Sequence, residues 1–153
     1  MSRILLLEDN PGVVRLLRHV LQDYAPIEST NAEEAILRFR DYRSTIQLLI
    51  ADLTLPISTG IRIALILRCE NPDLRILLMS GYPADRWDEQ ARADLARLGS
   101  ENVKILQKPF YPEVLVNSIQ AMIGAPEHVQ VDLRLKAEPD SEEWPPSDRH
   151  FRA

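Results

Sequence analysis

The sequence predicts an α/β fold, a five-stranded parallel sheet covered by helices, on three observations. Short apolar runs alternate with longer stretches of helical period from residue 3 to about residue 123. One run, "IQLLIAD" (46–52), is too apolar to be half exposed and reads as a central strand. Glycine or proline stands at the end of three of the helical stretches, where a chain must stop and turn.

"RILLLED" (3–9) is the first strand. The first helix starts at about Pro11, where a missing N–H costs nothing, and Val13, Val14, Leu16, Leu17, Val20 and Leu21 form its apolar face. "PIEST" (26–30) is a weak second strand. The second helix, "NAEEAILRFRDY" (31–42), is capped by Asn31, with Glu34 three residues on as in a capping box. After the third strand a helix runs from about Gly60 to Glu70 and is ended by "NP". "LRILLMS" (74–80) is the fourth strand, and a polar helix from about Ala84 to Leu98 stops at Gly99. "VKILQ" (103–107) is the fifth strand, and a last helix runs from about Tyr111 to Ile123 before Gly124.

The 153 residues suit one such body, 1–124, with a tail, 125–153. The tail carries seven acids against four Lys/Arg and four of the 11 prolines. Its segment "HVQVDLRLK" (128–136) alternates strictly, so an added strand and a linker are both open there. "EPDSEEWPPSDRHFRA" reads as disordered, with Trp144 as a contact point. No output domain is expected within 29 residues.

Composition excludes several function classes. Hydrophobic residues are 45% and charged residues 27%, ordinary globular usage. A formal charge of −5 argues against direct nucleic-acid binding, which rests on Lys and Arg neutralising phosphates. No apolar run approaches the ~18–20 residues that span a bilayer, so no membrane partner is expected. Cys69 is the single cysteine, which fits a reducing cytoplasm and rules out an intrachain disulfide; it is expected to be buried or half buried on the third helix. His19, His128 and His150 read as surface residues, and Trp87 as packing for the fourth helix.

The chemistry gathers where open α/β sheets place it, beyond the carboxyl ends of the strands. Glu8 and Asp9 end the first strand, Asp52 the third and Ser80 the fourth, and Lys108 follows the fifth. Three acids on one rim raise one another's pKa unless a cation neutralises them. Mg²⁺ suits one or two carboxylates plus a phosphate oxygen. With metal and lysine in place, Asp52 can act as nucleophile on a phosphoryl group, Ser80 donating to one of its oxygens and Lys108 binding another. Pro56 restrains the loop that leaves Asp52, and Gly60 allows the next helix to start tightly.

This ordered set resembles the receiver domains of two-component response regulators. The likeness is carried by "LLLED", by Asp52 with Pro56 and Gly60 four and eight residues on, by "LLMSGY" with Ser80, and by "KPF" with Lys108. "SGYP" and "KPF" look most like receivers of hybrid sensor histidine kinases or stand-alone single-domain regulators. The resemblance implies a doubly wound, flavodoxin-like sheet of order 2-1-3-4-5. It implies Mg²⁺ held by Asp9, Asp52 and the backbone carbonyl of Thr54, with Glu8 acting through water, and a cis peptide at Lys108–Pro109. It implies a stoichiometric phosphoryl acceptor, with self-catalysed phosphorylation and dephosphorylation, and not a turnover enzyme. The donor would be a histidine kinase or histidine phosphotransfer protein, and the output a change in protein–protein contacts on the face of the fourth helix, fifth strand and fifth helix. That face, or strand pairing by the tail, could also support a homodimer. The chain departs from the family at Ile105, where an aromatic switch residue often stands, and at Gly81, where alanine is commoner.

Two rival functions share the fold. A phosphorylation-independent adaptor would act through its tail and helical face; the intact acid, Ser and Lys set speaks against it, and Ile105 and the tail leave it open. A phosphatase with an aspartyl nucleophile would carry a second aspartate two residues after the first, and Thr54 stands there instead.

Overall fold

A computed structural model describes residues 3–53 and 57–126, with the backbone alone at 57 and 58. Five strands, β1 (Ile4–Leu7), β2 (Ile27–Ser29), β3 (Leu48–Leu53), β4 (Arg75–Ser80) and β5 (Val103–Gln107), pair in parallel in the order β2-β1-β3-β4-β5. The α-helices are α1 (Pro11–Val20), α2 (Ala32–Asp41), α3 (Ile57–Glu70), α4 (Glu89–Leu98) and α5 (Pro112–Ile123). The doubly wound expectation is met, and β3 lies at the centre with all six residues buried.

Side chains of a strand alternate between faces, so the sheet feeds two separate cores. Leu5, Leu7, Leu49, Ala51, Leu53, Ile76 and Leu78 pack with Phe39 of α2, Leu67 of α3 and Ala91 of α4. Ile4, Leu6, Leu48, Ile50, Leu77 and Met79 pack with Leu17 of α1 and Ile119 of α5 on the other face.

Local chemistry sets the helix starts. The Asn10 side chain accepts from Gly12 N (2.9 Å) and Val13 N (3.3 Å), and Asn31 accepts from Glu34 N (2.8 Å). Gly99 (φ 81°) and Gly124 (φ 84°) end α4 and α5 in the left-handed region, where a Cβ would be strained.

Four expectations are corrected. Helix α3 begins at Ile57, so Gly60 lies inside its first turn instead of opening it. A Cβ there would come 2.4 Å from Leu53 Cδ2, so this glycine permits close packing of α3 on β3. The fourth helical stretch is split into a 3₁₀ turn (Ala84–Arg86) and α4 proper, because Asp88 accepts from Ala91 N at 2.7 Å and caps a new helix. Cys69 is exposed, since Arg62, Ile66 and Cys69 follow one another at i, i+4 and i+7 along the outer side of α3. Leu16 is 58% exposed, lying off the Val14–Leu17–Leu21 stripe that faces the core.

Arg68 ties α3 to its surroundings. Its guanidinium donates to the carbonyls of Leu74, Leu98, Glu101 and Asn102 at 2.7–3.3 Å, holding the start of β4, the end of α4 and the α4–β5 turn together. At the end of α5, Arg3 donates to the carbonyls of Ile123 and Ala125, and Tyr24 Oη to that of Gly124 at 2.7 Å. The segment 128–136, like Thr54 and Pro56, lies outside the described residues.

Candidate functional site at the carboxyl rim of the sheet

The sheet register sets the rim. Leu7 is level with Ala51, Asp52 with Met79, Leu53 with Ser80, and Ser80 with Gln107. β3 therefore runs one residue past Asp52. The ladder is extended by Glu8 N donating to Ser29 O (3.0 Å) and Lys108 N donating to Ser80 O (2.8 Å), so both residues are placed by backbone bonds. The Lys108–Pro109 peptide is cis.

Lys108 Nζ donates to both carboxylate oxygens of Asp52, at 2.5 Å each. Asp52 is almost wholly buried, while the lysine side chain is 36% exposed. The ammonium reaches in from the solvent side and supplies the positive charge that the rim requires.

Glu8 is 2% exposed. Its Oε1 accepts from Asn10 N at 2.9 Å, whereas Oε2 has no hydrogen-bond partner. Burial first, and then the Asp52 carboxylate within hydrogen-bonding reach, push Glu8 up to about 8, against the opposing pull of the Asn10 N–H and Lys108. Asp9, the next residue, is exposed. Among the described residues no three acid, His or Cys donors already form a cation cage. The rim holds two buried carboxylates, an exposed aspartate next to one of them in sequence, and a lysine paired with Asp52.

A divalent cation fits this donor set. Glu8 Oε2 has no hydrogen-bond partner, the Asp52 oxygens accept from an ammonium that is itself partly exposed, and Asp9 is exposed.

Ser80 is fully buried and is engaged with its own loop. Its Oγ donates to Tyr82 O at 2.9 Å and accepts from Tyr82 N at 3.1 Å. The same carbonyl accepts from Trp87 Nε1 at 3.1 Å. Reading the sequence assigned Trp87 to packing alone; its burial is as expected, but the indole N–H bond depends on the 3₁₀ turn, which has no distinct sequence signal. Ile105 is 36% exposed and lines a shallow cleft between α4 and β5 with Leu95, Ala96, Gly99, Ser100 and Val103.

Residues 4–120 match the response regulator receiver domain. The chain belongs to that family. This receiver is 31% identical over 127 residues to the response regulator receiver protein CpdR of Brucella abortus, covering 82% of this chain and 99% of CpdR. It is 31% identical to the regulatory protein VanRB of Enterococcus faecalis over 79% of this chain and 52% of that one. The sensor kinase CckA of Brucella abortus is 27% identical over 80% of this chain, which spans 12% of the kinase. Among solved structures, the chemotaxis protein CheY4 of Vibrio cholerae superposes with a TM-score of 0.66 at 22% identity, over 80% of this chain and 99% of CheY4. CheY of Borrelia burgdorferi, solved with CheX, BeF₃ and Mg²⁺, superposes with a TM-score of 0.61 at 17% identity, over 78% and 87%. The receiver is thus of the two-component class, and no helix among its described residues is long and apolar enough to cross a membrane.

Proposed function

We propose that the receiver accepts a phosphoryl group on Asp52 from a phosphohistidine donor and switches protein–protein contacts in response. The observation that carries this reading is the buried Asp52 carboxylate clasped by Lys108 beside a second buried acid, Glu8, whose Oε2 has no partner.

In the transfer, an Asp52 oxygen attacks phosphorus and the P–N bond to the donor imidazole breaks. The bonding pair leaves with the imidazole nitrogen, which takes up a proton. Lys108 moves from the carboxylate to an oxygen of the transferred group, so its charge is used throughout. Ser80 donates to another phosphoryl oxygen once its hydroxyl leaves Tyr82 O. Mg²⁺, held by Asp9, Asp52 and the Thr54 carbonyl with Glu8 behind it, would neutralise the phosphoryl oxygens. The body acts once per phosphoryl group and does not turn over a small substrate.

The donor is a histidine kinase or a histidine phosphotransfer protein, and likeness to a segment of the sensor kinase CckA supports a phosphorelay setting. The test is intact mass after incubation with acetyl phosphate and Mg²⁺, beside Asp52→Ala. One phosphoryl adduct, absent from the variant, is the expected result. No adduct from any donor, with partner binding unaltered in the variant, would leave the adaptor reading in its place.

A further inference from the structure

We infer that Trp87 is a positioning residue that couples Ser80 to the start of helix α4 through the carbonyl of Tyr82. This rests on the phosphoacceptor role proposed for Asp52.

A serine hydroxyl has one proton to donate. Here that proton is committed to Tyr82 O, and Tyr82 N occupies the oxygen in return. Ser80 therefore cannot serve a phosphoryl oxygen until it lets go of the loop. The carbonyl it leaves is shared, because Trp87 Nε1 donates to the same oxygen. With the indole in place, Tyr82 O keeps one donor when Ser80 departs, and release costs less than it would if the oxygen were stranded.

The indole is also fixed to what lies beyond. Trp87 is 3% exposed and packs in the core shared by α3 and α4. Its backbone N–H closes the 3₁₀ turn on Ala84 O at 3.2 Å, and the next residue, Asp88, caps α4. Between Ser80 and the Asp88 cap, the Tyr82 carbonyl takes both side-chain donors of the loop, and backbone bonds from Arg86 N to Pro83 O and from Trp87 N to Ala84 O close the 3₁₀ turn. Gly81 has no heavy atom within 4 Å of a would-be Cβ, so the loop has room to move between them. Ile105 on β5 has no polar group with which to take part.

The chain has two tryptophans, so Trp144→Phe leaves Trp87 as the sole indole emitter. In that background, acetyl phosphate and Mg²⁺ are added while adduct content is followed by intact mass. Trp87 emission changes in step with the adduct. At matched adduct content the change is lost in Ser80→Ala and kept in Ser80→Thr, which retains the hydroxyl. Separately, Trp87→Phe keeps an aromatic ring without the N–H, and under limiting acetyl phosphate its adduct forms about two- to tenfold more slowly, the worth of one neutral hydrogen bond. An adduct with unchanged Trp87 emission, an equal change in Ser80→Ala, or an unslowed Trp87→Phe overturns the coupling and leaves the acceptor role standing. A parent protein that forms no adduct overturns both.

Discussion

Lys108 Nζ stands 2.5 Å from each carboxylate oxygen of Asp52, a residue 56 positions earlier in the chain. Lys108→Ala leaves two neighbouring buried acids, Glu8 and Asp52, with no cation between them. In chelator it destabilises the fold by roughly 1–3 kcal/mol, less than breaking a fully buried pair costs, because the lysine is partly solvated. Urea unfolding reads the loss, and millimolar Mg²⁺ restores part of it. Equal stability of parent and variant in chelator would show that the pair is not holding the rim.

Glu8 gives the metal-free protein a pH dependence. Below about pH 4.5 the carboxyl is protonated in both folded and unfolded chains; between there and about 8 only the unfolded chain releases its proton. The folded state binds more protons across that window, so this contribution to stability is full at low pH and is lost as pH rises through about 8. Urea midpoints in chelator from pH 5 to 9 check the slope, which Glu8→Gln flattens.

Gly60 and Gly81 make opposite predictions. Gly60→Ala gains helix propensity of up to about 1 kcal/mol but drives a methyl against Leu53, itself buried, at a cost of about 1–3 kcal/mol. The melting temperature falls by a few degrees. Gly81→Ala meets nothing within 4 Å and leaves it nearly unchanged. Thermal melts of the two variants side by side decide this, and a drop for Gly81→Ala alone would reverse the assignment.

Arg68→Met keeps the aliphatic stem and removes the donors to four carbonyls. A loss of about 1–3 kcal/mol is expected, since the part-buried carbonyls of Leu74 and Leu98 lose a charged donor. Hydrogen exchange then rises first in the α4–β5 turn.

The sheet was legible because its signal is strong and local. Runs such as "RILLMS" are too apolar and too short to be surface helices, and parallel strands buried on both faces need exactly such runs. The rim followed from topology, because parallel strands point their carboxyl ends one way and so bring Glu8, Asp52, Ser80 and Lys108 to one edge. What the sequence did not reveal depends on contacts between elements. Glu8 is buried and Asp9 exposed, although the two acids follow β1 side by side and are alike in the sequence. The break before Asp88 was hidden because Asp85 and Asp88 are equally plausible caps until the indole is seen to be anchored. Cys69 was misplaced because α3 is apolar almost all round, so periodicity could not tell its inner side from its outer one.

Arg68 has a mechanical corollary. Its fan of bonds clamps the chain around Leu98, Glu101 and Asn102, whereas the other end of α4 is held by the burial of Trp87 and Ala91 and is joined to the Ser80 loop by the indole bond to Tyr82 O. Movement begun near Ser80 would enter α4 at Glu89, the end away from the Arg68 clamp, and meet that clamp only at Leu98.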